Sequence, residues 1–198
     1  MNNSDTPENQ NSPESTQFYM LSAIDIETLS TDIGRAAVIQ IGIACAEIRS
    51  NGELLSRKNY CWELRDSWAE SLEDSERMTE VGVDPNTLRF HMPHLFTLDS
   101  SQLSFRSDAE VCINAWKTSS WGKGYVITQN AEFDLGILRA KLGETFYDFR
   151  KTIDIRTLQN LGLLPAKLPG KTHNALEDAR VELDAVIGLI VSKEITLC

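Results

Sequence analysis

Three short stretches of this sequence place acidic side chains where they can act together. Asp25-Ile26-Glu27 closes a run of apolar, β-prone residues, and the two-residue period of a strand turns both carboxylates to one face and Ile24 and Ile26 to the other. Like charges held that close raise each other's pKa, unless a divalent cation between them turns repulsion into coordination. Asn130-Ala131-Glu132-Phe133-Asp134 follows the short apolar stretch Tyr125-Val126-Ile127-Thr128. Asn130 and Asp134 therefore emerge at a strand-to-helix junction, where polar side chains reach a ligand over a sheet's edge. His173-Asn174-Ala175-Leu176-Glu177-Asp178 puts an imidazole just outside a helix N-cap and a carboxylate in the helix's first turns. A histidine of ordinary pKa can take a proton from water near neutral pH. Taken singly, each motif also has an ordinary reading: a solvated strand face, an acid set against a helix dipole, and a surface-loop histidine.

These residues need a scaffold that brings positions 25, 134 and 178 together. Apolar runs over 18–27 and 36–48, separated by the turn-like Ser30-Thr31-Asp32-Ile33-Gly34, read as paired strands. A third run over 53–64 follows Asn51-Gly52, a hairpin signal because both residues tolerate positive φ. Helices are expected near 66–80 and 85–91, and over 108–118. There Ser107 and Glu110 make a capping box, and Val111, Cys112, Ala115 and Trp116 share a face. A buried strand over 125–128 and a helix over 133–142 closed by Gly143 come next. Asn174 and Glu177 resemble an N-cap pair opening a long amphipathic helix, with Leu176, Ala179, Leu183, Val186, Ile187 and Ile190 at helical spacing. The order predicts an α/β sandwich around a mixed sheet, three antiparallel strands and then parallel ones, flanked by helices. Residues 1–17 hold no apolar residue after Met1 and are expected to be a disordered tail ahead of a single domain over 18–198.

In this order, Asp-x-Glu, Asn-x-x-Phe-Asp and His-x-x-x-x-Asp together resemble the signatures of the DEDDh, or DnaQ-like, family of 3′-to-5′ exonucleases. The resemblance runs over most of 18–190. In detail, Asp25 to Ser30 followed by Ala36-Ala37-Val38-Ile39-Gln40-Ile41-Gly42, and Asp154-Ile155-Arg156-Thr157-Leu158 before Gly170-Lys171-Thr172-His173, is similar to the branch of exonuclease VIII, phage exonuclease A and a mycobacterial-type ribonuclease. One departure is visible: where that branch carries tryptophans after a Thr-(Ile/Leu) pair, this chain has Thr87-Leu88-Arg89-Phe90-His91.

The resemblance implies an RNase H-like fold and hydrolysis of single-stranded DNA or RNA from 3′ ends to nucleoside 5′-monophosphates. Breaking a phosphodiester requires neutralised phosphoryl charge, an activated water and a stabilised leaving oxygen, which two divalent ions about 3.5 to 4 Å apart supply. Oxygen ligands without cysteine suit two Mg²⁺ or Mn²⁺ ions rather than zinc. Asp25 is then the ligand shared by both ions. Glu27 and Asp178 hold the ion on the side of the attacking water, Asp134 the second, and His173 is the general base. By resemblance the region of Thr28 and Leu29 meets the terminal nucleotide, with Asn130 orienting the strand and Phe133 beside it. A homodimer is expected from the habit of free-standing family members. The alternatives are a non-catalytic module that binds nucleic acid or a partner on the same fold, and a polymerase proofreading subunit. A complete catalytic set weighs against the first, and the short end after Ile190 against the second.

Composition sets the limits. The chain has 198 residues, 41% of them hydrophobic, enough to bury a core without a disulfide or metal staple. Nineteen Lys and Arg against 29 Asp and Glu leave a net charge of −10, which excludes a broad basic surface for duplex DNA or anionic lipid. The four cysteines form no Cys-x-x-Cys pair, and no apolar run spans a bilayer, so a cytoplasmic protein is expected. His91 and His94 have metal-pair spacing but no acidic or Cys partner nearby in sequence. Trp62, Trp68, Trp116 and Trp121 read as core or edge aromatics. Arg139, Lys141, Arg150, Lys151, Arg156, Lys167 and Lys171 are either ordinary solvated charge or a local basic rim that guides a strand inward.

Overall fold

The computed structural model describes residues 17–64, 83–91, 104–105 and 109–197. In strand β1 (Phe18–Thr28), Tyr19, Leu21 and Ala23 pack on one side and Ile24 and Ile26 on the other, and both sets are buried. A strand covered on both faces belongs in the middle of a sheet held between helices. Accordingly β2 (Val38–Arg49) runs antiparallel along one side of β1, and β3 (Leu54–Glu63) antiparallel to β2. The two-residue β4 (Ser104–Phe105) joins β3 in parallel. On the other side of β1 come β5 (Tyr125–Thr128) and β6 (Thr152–Asp154), both parallel. The order β4-β3-β2-β1-β5-β6 is the mixed, RNase H-like α/β sheet that the sequence predicts.

The helices are α1 (Pro85–His91), α2 (Ala109–Lys117), α3 (Asp134–Leu142), α4 (Ile155–Asn160) and α5 (Ala175–Val191). Residues of α2 and α3, among them Cys112, Ile113, Trp116, Leu135 and Leu138, cover the Ile24–Ile26 face. On the opposite face, Ala179, Leu183 and Val186 of α5 pack on Leu21, Ala23, Ala44 and Ala46. Small side chains let α5 approach closely, and Gly42 takes this to its limit. A Cβ there would sit 2.2 Å from the backbone carbon of Ala175 and from the nitrogen of Leu176.

Several expectations are corrected. In the hairpin only Gly52 takes positive φ, +86°; Asn51 uses its side-chain oxygen to accept from Glu53 N at 3.0 Å. The buried stripe of α2 is Ala109, Cys112, Ile113 and Trp116, not one that includes Val111 and Ala115. That is the i, i+3, i+4, i+7 pattern, which leaves Val111 about half exposed. β4, β6 and α4 were not anticipated. Trp116 is fully buried and donates to Ser22 Oγ at 3.1 Å, and Trp62 stacks on Tyr60, so both are core residues. The tail over 1–16, the helix near 66–80, Trp68, His94 and the Ser107 cap lie outside the described residues. Among the described residues no helix is long and apolar enough to cross a membrane.

Candidate active site

Asp25 and Glu27 stand at the C-terminal end of β1, on the α5 side of the sheet. The β1–β2 register slips between Glu27 and Thr28, the kind of irregularity that re-aims side chains beside a site. Asp25 is 7% and Glu27 8% exposed, so these carboxylates are not a solvated face. Asp134 opens α3, where its charge also suits the helix N-terminus. Its Oδ2 accepts from Thr128 Oγ1 at 2.8 Å and from the Asn130 backbone N at 3.1 Å. The loop between them is tied down by Asp154, which accepts from Ala131 N at 2.8 Å with one oxygen and from Thr157 N at 2.7 Å with the other.

The third motif is positioned by the start of α5. Asn174 caps the helix by accepting from Glu177 N at 3.2 Å, and Gln40 Oε1 accepts from Ala175 N at 2.7 Å. Because Gly42 is the register partner of Asp25, the first turn of α5 seats directly beside the β1 carboxylates. Asp178 is then aimed at them, its Oδ1 accepting from Thr172 N at 2.7 Å. His173 is exposed and has φ +59°, a left-handed conformation uncommon outside glycine and found disproportionately at functional positions.

Two further residues complete the cluster: Glu182, which the sequence reading did not single out, and Lys171, which it counted only among solvated or rim cations. Glu182 is fully buried one turn beyond Asp178, and its Oε1 accepts from Lys171 Nζ at 2.6 Å. The same ammonium lies 3.4 Å from Asp25 Oδ1 and 4.0 Å from Asp178 Oδ2. Lys171 is therefore no member of a solvated rim. The i, i+4 spacing of Asp178 and Glu182 was a usable signal, since it puts both on one helix face. Nothing in the spacing pointed to Lys171.

Electrostatics follow from this crowding. Burial, and then Glu182 and Asp134, push the Asp25 carboxyl well above the usual range despite Lys171. Burial and Asp178 push Glu27 up to about 8. Burial raises Asp134 to about 6 against the hydrogen bonds from Thr128 and Asn130, and raises Glu182 to about 7 against Lys171. Burial opposes the charge of Lys171, but Asp25 and Glu182 hold its pKa above the ordinary lysine value. A set of buried carboxylates that repel one another and already draw in an ammonium fits a cation site. Among the described residues, Glu27, His173 and Asp178 form a group whose ligand atoms all lie within 4.8 Å of one another. The donors are oxygens and an imidazole. Cys45, Cys61 and Cys112 are buried elsewhere, with burial pushing the Cys45 and Cys61 thiols up to about 11 and 12. The donor set therefore fits Mg²⁺ or Mn²⁺.

At the rim, α1 contributes a second imidazole: buried His91 places Nδ1 3.3 Å from Glu27 Oε2. The acidic partner absent near His91 in sequence is supplied from β1 in space. Half-exposed Phe90 meets the His173 ring edge-on, with centroids 4.8 Å apart. Asn130 and Phe133 are partly buried, and buried Thr28 donates to Ser30 O at 2.8 Å. Leu29 packs fully inside with Ala37, Ile39 and Val83, so its side chain belongs to the core, and its backbone N donates to Ala37 O at 2.9 Å.

No protein-family model and no curated protein matches this sequence. Solved structures share its fold. A full-length 3′-exonuclease aligns with a TM-score of 0.50 and 14% identity over 89% of this chain and 84% of its own. E. coli exonuclease I in complex with a dA16 oligonucleotide aligns with a TM-score of 0.51 and 13% identity over 88% of this chain. Exonuclease I without ligand aligns with 0.50 and 13% over 89%. This chain spans 41% of the former exonuclease I chain and 42% of the latter. The mixed sheet and flanking helices described above are the fold these exonucleases have.

Proposed function

We propose that the chain is a metal-dependent 3′-to-5′ exonuclease that hydrolyses single-stranded nucleic acid, DNA or RNA, to nucleoside 5′-monophosphates. What carries the reading is the convergence of Asp25, Glu27, Asp134 and Asp178 with His173 at the end of β1. The exonucleases that share the fold support it, one of them in complex with an oligonucleotide. By its motifs the chain resembles the branch of exonuclease VIII, phage exonuclease A and a mycobacterial-type ribonuclease.

Two Mg²⁺ or Mn²⁺ ions, when bound, neutralise the phosphoryl oxygens, polarise the attacking water and steady the leaving oxygen. Asp25, which the other carboxylates surround, would hold both; Glu27 and Asp178 would hold one, and Asp134 the other. Thr128 and the Asn130 backbone fix the Asp134 carboxylate in one orientation, so the ligand is set before substrate arrives. His173 takes the proton from the attacking water at an imidazole nitrogen, and its exposed position lets it reach the water from the open side. Thr28, Asn130 and Phe133 receive the terminal nucleotide. Leu29 contributes by bonding its backbone N to Ala37 O, which steadies the turn after Thr28. We assign residues 18–198 to one catalytic domain behind an N-terminal tail, working in the cytoplasm, where buried free thiols persist, and as a homodimer.

The test is digestion of matched 5′-labelled single-stranded DNA and RNA oligomers with Mg²⁺ or Mn²⁺. A ladder shortening from the 3′ end, mononucleotide products and full inhibition by chelator are expected. Internal cuts, or no metal-dependent release from either strand, would overturn the reading and leave a binding module.

A further inference from the structure

Among the described residues, Lys171 brings a lysine ammonium into the carboxylates of the candidate site, and its surroundings are built for it. Its ammonium touches Glu182 at 2.6 Å and Asp25 at 3.4 Å, and stands 4.0 Å from Asp178. Its side chain is only 18% exposed. Glu182 is fully buried, and its second oxygen has no hydrogen-bond partner among the described residues. A buried carboxylate left half satisfied is costly, and the lysine accounts for its being there. Glu182 therefore serves as an anchor for the ammonium. Asp25 and Asp178, the two other carboxylates the ammonium reaches, are the residues assigned to the ions.

An ammonium in contact with Asp25 and Asp178 stands where a divalent cation would have to approach them. It also supplies the counter-charge that lets the carboxylates stay close without metal. The lysine stem is flexible, so the ammonium can withdraw toward solvent while its backbone stays in place. That backbone lies between two left-handed residues, Gly170 at φ +89° and His173 at φ +59°.

We propose that Lys171, anchored by Glu182, is an internal cation that competes with the divalent ion for Asp25 and Asp178, so that metal loads only by displacing it. This rests on the reading of those carboxylates as ion ligands. In effect the chain carries its own weak substitute for the metal. The affinity for the metal is set by the difference between the two cations, not by the carboxylates alone.

The experiment titrates Mn²⁺ into the metal-stripped full chain without nucleic acid, following free Mn²⁺ by electron paramagnetic resonance. Lys171→Met should bind Mn²⁺ about tenfold or more tightly than the parent, because an opposing unit charge has been removed within about 4 Å, and the double variant Lys171→Met/Glu182→Gln should also bind more tightly, by a smaller factor, because a negative charge leaves with the competitor. Lys171→Arg, which keeps the charge and its pairing, should bind as the parent does. The double variant removes the buried Glu182 charge together with its ammonium partner and carries the test if the single one fails to fold. Equal or weaker Mn²⁺ binding in the methionine variants, with the parent still binding, overturns the competition and leaves the ion site standing. In that case Lys171 acts beside the ion, for instance on a substrate phosphate. Absence of Mn²⁺ binding in every form overturns both the competition and the reading of the site.

Discussion

The imidazole of His91 and the carboxylate of Glu27 meet at 3.3 Å inside the fold, although one sits at the end of α1 and the other on β1. A contact of that kind orients a ligand without touching the substrate. His91→Ala should raise the Mn²⁺ concentration for half-maximal activity several-fold while lowering kcat by about tenfold or less. A metal titration of activity checks this, and an unchanged half-maximal concentration would remove His91 from the site's support.

Asp25→Asn removes the central carboxylate and should abolish turnover, yet leave the metal-free protein as stable as the parent or more so. The reason is that burial and like charges already make its ionised form unfavourable. Thermal melts in chelator alongside an exonuclease assay test both halves. Near-normal activity in Mg²⁺ would show the assignment of the site to be wrong.

For His173→Ala we expect a smaller loss, about 10² to 10⁴ in kcat, with partial recovery at higher pH as hydroxide becomes more abundant. A pH–rate profile of the variant against the parent decides it. The same rate and profile in both would exclude His173 as the base.

Metal-free stability should fall as pH rises. Glu27, Glu182 and Asp134 have folded-state pKa values of about 8, 7 and 6, above their unfolded values, and Asp25 is raised as well. Between about pH 4.5 and 8 the native state therefore binds more protons than the unfolded one, and stability declines across that window. In Mg²⁺ the decline should flatten, since the ion favours the ionised carboxylates. Melting temperatures from pH 5 to pH 8, with chelator and with Mg²⁺, give the comparison; a chelator curve that rises with pH contradicts the buried-acid account.

Binding to single strands should be weak and confined to the end. With a net charge of −10 and Lys171 turned inward, few cations remain to meet phosphates. Log K against log[salt] should have a slope of roughly −2 to −3. Unpaired 3′ ends should be degraded faster than blunt duplex. A slope steeper than about −6, or equal rates on duplex, would defeat this.

The parts of the molecule that could be read from sequence are those whose signal is local. β1, β2 and α5 carry long apolar periods, β3 is announced by Asn51-Gly52, and Asn174 caps α5 as its type and spacing imply. β6 and α4 escaped because three half-buried residues and a six-residue helix have no period of their own. They exist through pairing with β5 and through Asp154, which caps α4 while holding Ala131. The motif acids Asp25, Glu27, Asp134 and Asp178 were recognisable by order and spacing. Lys171 and His91 were not, because both meet the β1 carboxylates across the fold: Lys171 and Asp25 are 146 positions apart.

That separation has a consequence for how the protein is made. Asp25 and Glu27 leave the ribosome first, Asp134 much later, and Asp178 and Glu182 only with α5. Until that helix reaches Gly42, the early carboxylates have neither Lys171 nor a full ligand set around them. On the reading proposed above, a nascent chain that still lacks α5 would have only part of the acidic cluster. The acidic cluster closes in one step, when α5 docks.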